Sequence, residues 1–411
     1  MKSLLIVMFI IFMFLLVACQ SGNSEYTNDD NEDLTYIWAG FTFSQHGIIS
    51  TSNGPVRLVD IESTETIVLC DKPECRHEAL SLRNSDSSCL AQIELLREFA
   101  IYRNKQVFLS GVNGSPLALE IYTADISGHN RKLIAEIEDF ANAVTAVLIR
   151  ENNFIFSYSC TYEITEIGTL EDLEIQRAGV AIVDLDNGNT TLLPVKEAYG
   201  AGVNEMFLKD GFLYYSFTRM NDLYDDDYMK ELFSIQDDIL KWEMITEYTK
   251  SHMVNSLIRY NLETREEDVL WSSLGGKHIT GFSDNYATAS PSDFNSLYII
   301  SLDDGSKKLI VEPLSGGSTA AYVNDKEMYY FVWVDGVTDC YLYDFELEYS
   351  KYLFSLEEES FHVFAVLSEL IYLSGYDATG EFYFAVISKE DFLVGNYDSI
   401  RILFYPNNTW G

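Results

Sequence analysis

A short hairpin-like motif recurs along this chain, and it constrains the fold more than any other feature of the sequence. Each copy has an apolar segment that ends at a polar anchor residue, then a turn rich in Gly or charged residues, then a second apolar segment. Asp or Asn at such an anchor can accept hydrogen bonds from backbone amides two residues on, which fixes a turn between two strands. The anchors of the six clear copies are Asp60, Asp125, Asp184, Asn261, Ser301 and Asp344.

Apolar positions follow every anchor at fixed distances. The residue directly after the anchor is Ile61, Ile126, Leu185, Leu262, Leu302 or Phe345. Nine positions after the anchor, the chain is again aliphatic, at Leu69, Ile134, Leu193, Leu270, Ile310 and Leu353. Most copies also follow another strand-like segment, such as QVFLSGV, NFIFSYS or GFLYYSF. One repeat therefore supplies roughly four strands in about 40 to 60 residues, and a weaker unit near the end of the chain brings the total to seven.

This pattern predicts an all-β fold, a β-propeller of seven blades, each a four-stranded antiparallel sheet. Six or eight blades are alternatives. A parallel β-helix is the main competing fold, but its coils are shorter, roughly 20 residues each. The abundant aromatic residues, 27 Tyr and 25 Phe, suit blades that bury both faces against their neighbours. A platform for sugar rings is the alternative interpretation of those aromatics.

The N-terminal segment predicts export. Residues Met1–Ala18 hold one charge, Lys2, and then an apolar run of about 15 residues, shorter than the roughly 20 that span a bilayer. The run ends in Leu16-Val17-Ala18-Cys19, which resembles the lipobox of bacterial lipoproteins. That resemblance implies cleavage after Ala18 and a diacylglyceryl group on the Cys19 sulfur, which would attach the protein to the membrane. An uncleaved short anchor is the alternative, and either version faces the extracytoplasmic side.

The remaining chain divides into a tether and one domain. Residues 19–34 are polar, acidic and nearly free of aliphatic side chains, which predicts a disordered tether. Residues 35–411 form a single predicted propeller domain. Three segments, 71–98, 160–177 and 219–256, interrupt the repeat and are predicted insertions at blade ends, where binding loops usually lie.

The charge of the chain limits its partners. It has 64 Asp and Glu against 27 Lys and Arg, a net charge of −37. This excess opposes binding to nucleic acid and to the surface of an anionic membrane, both of which need basic patches. Cations and basic partners are compatible with it.

A cysteine-rich segment follows the first repeat. Its residues are Cys70, Cys75, His77 and Cys89, with the spacing C-x4-C-x-H-x11-C. Three thiolates and one imidazole match the ligand set of a structural zinc site, whereas exported proteins favour disulfides. A zinc or other thiophilic metal site, a disulfide and free thiols all remain open. Because five cysteines remain after Cys19, they cannot all pair within one chain, and Cys160 and Cys340 in apolar strands are predicted to be buried thiols.

This segment, with the following FAIYRNKQVFLSG, resembles a family of lipoproteins from Gram-positive bacteria. Members follow an early blade with Cys-x-x-Pro-(Asp/Glu)-Cys-x-His and a later Cys-x-Ala, and continue as TolB-type propellers. The match covers about Tyr36 to Ile134, and beyond that it extends only to the repeat. The resemblance implies a fold and a location, and it contributes no catalytic residue.

No recognisable catalytic set appears in the sequence. The G-x-S-x-G motif of the hydrolase domain that accompanies some propellers is absent, and the six histidines are scattered without an H-x-x-x-H pair. We therefore expect a binding module for an envelope protein, peptide or glycan rather than an enzyme. An extracytoplasmic lyase or glycosidase with acidic residues along the channel, and a scaffold for an envelope complex, are the alternatives.

Overall fold

The computed structural model describes most of the chain from Thr35 to Tyr405. The described residues are 35–38, 41–44, 47–50, 55–72, 89–91, 93, 96–103, 105–111, 118–137, 143–150, 152–161, 175–194, 196–199, 201–220, 235, 240, 244, 247–248, 251–275, 277–291, 294–315, 317–324, 326–357, 361–367, 369–377 and 379–405. The predicted signal peptide, Cys19, the tether, Cys75 and His77 lie outside these residues.

Seven antiparallel sheets follow one another along the chain, and each contains a four-stranded meander whose strands we call a, b, c and d in chain order. Blade 1 comprises β1 (Thr35–Trp38), β2 (Phe41–Ser44), β3 (Gly47–Ser50), β4 (Arg57–Asp60) and β5 (Thr66–Val68). Its meander is β2–β5, and β1 pairs with β2 at the inner edge. Blade 2 comprises β6 (Leu96–Tyr102), β7 (Lys105–Gly111), β8 (Leu119–Asp125) and β9 (Lys132–Ile137).

Blades 3 to 5 follow the same plan. Blade 3 comprises β10 (Ala143–Arg150), β11 (Asn153–Thr161), β12 (Ile175–Asp184), β13 (Thr190–Leu192) and β14 (Lys196–Tyr199), and β14 pairs with β12 as an additional strand. Blade 4 comprises β15 (Gly202–Lys209), β16 (Phe212–Met220), β17 (Met253–Asn261) and β18 (Glu267–Leu274). Blade 5 comprises β19 (Lys277–Phe282), β20 (Tyr286–Pro291), β21 (Leu297–Ser301) and β22 (Lys307–Val311).

The last two blades complete the ring. Blade 6 comprises β23 (Ser318–Val323), β24 (Glu327–Val334), β25 (Val337–Asp344) and β26 (Tyr349–Glu357). Blade 7 comprises β27 (Phe361–Leu367), β28 (Leu370–Tyr376), β29 (Phe382–Ser388) and β30 (Arg401–Phe404), with helix α1 (Lys389–Val394) and a short 3-10 turn (Tyr397–Ser399) between its last two strands. The prediction of a seven-bladed propeller is confirmed. Among the described residues, no helix has both the length and the apolar character needed to cross a membrane.

The predicted turn chemistry is present at the c–d corners. The Asp60 carboxylate accepts hydrogen bonds from the backbone amides of Glu62 and Ser63, at 3.1 and 2.7 Å. At three further corners, those of Asp184, Asn261 and Asp344, the anchor side chain accepts hydrogen bonds in the same way from the backbone amides two and three residues later. The Ser301 hydroxyl accepts one such bond. Asp125 differs, because its carboxylate accepts from the Asn130 side chain instead.

Apolar clusters between neighbouring blades form the core. Each cluster combines residues from adjacent sheets, so that every blade packs on the blade before it and the blade after it. In blade 4, for example, Tyr215 and Phe217 on β16 face blade 3, whereas Tyr214 faces blade 5. The alternation along one strand thus supplies both interfaces, as expected for a strand with both faces buried.

The ring closes between blades 7 and 1 without sharing a strand. All strands of blade 1 come from the N-terminal part of the domain, and all strands of blade 7 come from the C-terminal part. The Tyr372 hydroxyl donates a hydrogen bond to the Ser44 carbonyl at 2.8 Å, and the ring of Phe43 packs edge-on against Tyr372 with centroids 5.3 Å apart. Side-chain packing therefore holds this junction.

Candidate functional site

The connections between strands divide the ring into two ends. Because neighbouring strands are antiparallel, the b–c and d–a connections lie at one end, which we call the upper end, and the a–b and c–d turns lie at the lower end. The segment after β5 is a d–a connection, and the segments after β11 and β16 are b–c connections. All three predicted insertions therefore leave from the upper end, although the flanking strands extend a few residues into each of them.

The described parts of the first insertion pack along the outer side of blades 1 and 2. The backbone amide of Val56 donates to the Ala91 carbonyl at 2.8 Å, and Arg131 donates to the Leu90 carbonyl at 3.0 Å. The His129 imidazole lies 2.7 Å from the Asp71 carboxylate. This segment therefore joins two blades.

Cys70 and Cys89 lie at the same apolar cluster. Cys89 is 7% exposed within it, and the half-buried Cys70 packs against it. The other two predicted members of the set, Cys75 and His77, lie outside the described residues, so a metal site, a disulfide and free thiols all stay open as predictions. Packing between blades 1 and 2 favours a structural role for the segment.

Cys340 is fully buried, as predicted, and burial raises the pKa of its thiol.

Bulges interrupt the innermost strands at similar heights. Five of the described a-strands contain a register shift, which inserts an extra residue: β6, β10, β15, β19 and β27. Bulges re-aim side chains and are common beside functional sites. Here they lie in the strands that line the central channel.

Polar residues share one register position on these strands. On each a-strand, one residue pairs with strand b directly across the a–b turn. The shared position lies five residues before that residue. In blades 2 to 7 it holds Arg97, Thr145, Asn204, His278, Thr319 and His362. Among those with described side chains, Asn204 and His278 are half-buried, His362 is exposed and Thr319 is buried. Thr319 donates to the Phe294 carbonyl of blade 5 at 2.8 Å and so joins two blades.

Glu98 follows the bulge in β6 and has an altered acidity. Its carboxyl is half-buried, and desolvation by the surrounding protein raises its pKa from 4.5 to about 7. A carboxyl with such a pKa exists in both protonation states near neutral pH, so it can donate or accept a proton.

The two inner-strand histidines have lowered pKa values, which favours the neutral form of each ring. Burial lowers the pKa of both His278 and His362. His362 is exposed as a residue, yet the protein packed around its imidazole disfavours the charged form. A neutral imidazole offers one hydrogen-bond donor and one acceptor.

A row of polar side chains crosses blade 4 at its upper end. The Asn204 amide donates to the Thr218 hydroxyl at 3.1 Å, and that hydroxyl donates to the Asn255 carbonyl oxygen. Asn255 is 1% exposed, and its Nδ2 has no hydrogen-bond partner among the residues that the structure describes. Glu205, Ser216 and Ser256 are further buried polar residues of the same sheet, so blade 4 concentrates polar groups in its interior.

One tryptophan stands exposed at the same end. Trp333 is 46% exposed at the upper end of β24, directly before the b–c turn of blade 6. Phe331, two residues earlier on the strand, is 3% exposed. The sequence interpretation assigned the aromatic residues to the core as a group and did not single out Trp333.

Within the described part of the chain, no group of three or more His, Cys, Asp or Glu side chains is placed to hold a metal ion. Sequence reasoning also missed Glu98, His278 and His362. The shared polar position becomes visible when the inner strands are aligned on their a–b turns. That alignment requires the strand boundaries, which the sequence alone does not give. The repeat was instead aligned on the c–d corner, at the opposite edge of each sheet.

The fold is shared with solved propellers of very different sequence. A structure of prolyl endopeptidases matches with a TM-score of 0.53 and 11% identity, over 95% of this chain and 51% of that chain. The propeller domain of the Trilobed protease from Pyrococcus furiosus, described as having an open velcro topology, matches with a TM-score of 0.50 and 12% identity, over 94% and 97%. An oligogalacturonate lyase in complex with manganese matches with a TM-score of 0.49 and 14% identity, over 75% and 76%.

The likenesses to the prolyl endopeptidases and to the propeller domain of the Trilobed protease establish the propeller fold alone. The chain spans about half the length of the prolyl endopeptidases. No family model matches the chain, and no curated protein matches its sequence.

Proposed function

We propose that this chain is a lipid-anchored, extracytoplasmic binding module that takes a protein, peptide or glycan ligand at the upper end of its ring. The observation that carries this proposal is the convergence of two features at one end. The three long connections leave there, and polar inner-strand residues such as Asn204, His278 and His362 occupy one level of the channel there. Convergent polar groups in an apolar scaffold are typical of ligand sites.

The location rests on the N-terminal sequence. The lipobox-like residues Leu16–Cys19 and the polar stretch after them support a domain held outside the membrane by acyl chains. A tethered domain of this kind can reach ligands at the envelope surface while its channel stays open to solvent.

Site-specific photo-cross-linking in cells tests the binding role. Benzoylphenylalanine replaces His362 at the upper channel mouth or, as a control, Leu192, which is 52% exposed on the outer strand β13. A discrete cross-linked species is expected from position 362 and none from position 192. Cross-links from position 192 alone, or none from either site, would contradict the proposal.

A second candidate function, an extracytoplasmic lyase or glycosidase, is favoured by Glu98. Its raised pKa of about 7 suits a general acid or base in the channel. Glycosidases place two carboxyl groups about 5–10 Å apart, so this candidate needs a second acid facing Glu98. Turnover of envelope polysaccharides by the full chain, and its loss in Glu98→Gln with ligand binding retained, would establish the enzyme and displace the binding module as the primary role.

A further inference from the structure

The b–c hairpin of blade 6 presents Trp333 on a rigid support. Its two turn residues, Asp335 and Gly336, have φ angles of 50° and 85°, and two positive values in a two-residue loop are typical of a type I′ turn. Trp333 pairs with Ser318 on the inner strand and with Thr338 on the third strand. Because the backbone is fixed on both sides, the exposed ring loses little freedom on binding.

Trp333 lies beside the channel mouth. It shares a strand face with Phe331, about 7 Å away along the strand. The Phe331 ring in turn meets the ring of His362 edge-on, with centroids 6.1 Å apart. Val337, 36% exposed, and Tyr376, 39% exposed, are the other large exposed apolar residues described at the upper end of blades 6 and 7. Their side chains lie on other sheet faces than Trp333, because Val337 pairs with Val334, next to Trp333 on the strand, and Tyr376 shares the face of Tyr372, which contacts blade 1. We call Trp333 and the b–c turn of blade 6 beside it the blade 6–7 surface.

The described basic residues of these two blades lie at one end, although acidic residues lie at both ends. The basic residues described there, Lys326, Lys351, Lys389 and Arg401, lie in or beside the a–b and c–d connections of the lower end. The b–c end holds acidic residues instead, and these are Asp335, Asp339, Asp377 and Glu381. Among the described residues, the blade 6–7 surface therefore combines an exposed indole with the Asp335 carboxylate and has no cationic side chain.

We propose that the blade 6–7 surface is a docking site for a basic peptide segment, with a Lys or Arg side chain of the partner lying over the Trp333 ring. A cation over an indole face gains about 0.5–2 kcal/mol, and Trp is the best aromatic partner. The Asp335 carboxylate, two residues from Trp333, adds attraction, and the net charge of −37 raises the encounter rate with a basic partner. This inference rests on the proposed binding function and narrows its ligand.

Fluorescence anisotropy with a labelled peptide tests it. The probe is a fluorescein-labelled decapeptide of alternating Arg and Gly, added to the full chain in detergent micelles, with an alternating Glu and Gly decapeptide for comparison. The Arg probe is expected to bind and the Glu probe not to bind. Trp333→Ala should weaken binding about 2- to 30-fold, the range that corresponds to a cation–indole contact. Trp333→Phe should retain part of the affinity, which also guards against a folding defect in the alanine variant.

Tyr349→Ala is the matched control. Tyr349 is 63% exposed on the same sheet but beside its c–d turn, at the lower end, so its loss should leave binding unchanged. Equal affinity of the Arg probe for Trp333→Ala and for the parent would overturn the inference, because binding would then depend on the overall charge and not on Trp333. Trp333-dependent binding of a neutral hexasaccharide, with no binding of the Arg probe, would also overturn it. Either result leaves the binding module in place, since that proposal depends on the cross-link at position 362.

Discussion

Replacing Gly305 with Ala tests how the c–d corners hold neighbouring blades together. Gly305 has a φ of 72°, and a Cβ placed there would lie 2.0 Å from the carbonyl oxygen of Leu270 in the preceding blade. Arg265, at the same position of the blade 4 corner, has a φ of 62°, so a side chain is tolerated where the preceding blade leaves room. The corner of blade 5 therefore needs Gly chiefly for close contact with its neighbour.

The expected cost has two parts. A non-glycine residue in the left-handed region costs roughly 1–2 kcal/mol. Pushing the Leu270 carbonyl or the corner aside adds roughly 1–3 kcal/mol, as for other overpacked sites. Gly211→Ala supplies the matched control, because Gly211 has a φ of 77° and no atom lies within 4 Å of its added Cβ. Gly211→Ala should therefore show only the cost of placing a non-glycine residue in the left-handed region.

Urea unfolding of both variants, followed by tryptophan fluorescence, measures these costs as shifts in midpoint at constant slope. We expect Gly305→Ala to lower the free energy of unfolding by about 2–5 kcal/mol, and Gly211→Ala by about 1–2 kcal/mol. Equal losses in the two variants would refute the close approach of the blade 5 corner to blade 4.

Three further predictions address the ring junction, the channel and the anchor. Tyr372→Phe removes the buried hydrogen bond to the Ser44 carbonyl and should lower the free energy of unfolding by about 1–3 kcal/mol in the same assay, and an unchanged midpoint would contradict closure through this contact. The pKa of Glu98 is raised in the folded state to about 7, so its contribution to stability is fully present below about pH 4.5 and is lost as the pH rises through 7. Unfolding midpoints of Glu98→Gln should therefore fall less than those of the parent between pH 5 and 8, and parallel curves would show that the carboxyl is not desolvated. Cys19→Ser should release the chain from the membrane fraction and abolish labelling by a fatty-acid analogue, whereas retained labelling would place the lipid elsewhere.

Local chemistry explains why the fold was predictable from the sequence. The anchors Asp60, Asp184, Asn261 and Asp344 form their turn by bonding amides only two and three residues away, so each copy of the motif contains all the residues that define its corner. Each corner belongs to one sheet, so the six anchors account for six blades, and the weaker unit near the C-terminal end accounts for the seventh.

The candidate site depends on long-range contacts, and these were not predictable in the same way. Trp333 and Phe331 are two residues apart on the same face of one strand, yet one is 46% exposed and the other 3% exposed. Their difference depends on where blade 7 ends beside blade 6. The raised pKa of Glu98 arises likewise from the protein packed around the channel, and the contact of Tyr372 with Ser44 joins residues from opposite ends of the domain.

The packing of the cysteine segment likewise depends on its neighbours. Its interruption of the repeat predicts an insertion at a blade end, and its described parts pack on blades 1 and 2, held by bonds such as that from Arg131 to the Leu90 carbonyl. A sequence motif defines possible ligands for a metal or partners for a disulfide, but the neighbouring blade determines where the segment packs.

Thiol labelling at the two ends of blade 6 tests the central functional claim most directly. Single cysteines replace Val337, on the upper b–c hairpin, or Leu347, which is 74% exposed in the lower c–d turn, in the full chain in intact cells. The labelling of each by a bulky maleimide, corrected for the parent chain, is compared before and after the chain is extracted from its envelope. We predict that position 337 is protected in cells and becomes reactive on extraction, while position 347 reacts fully in both states. Protection of position 347 with position 337 always reactive would place the partner at the wrong end of the ring and contradict the account.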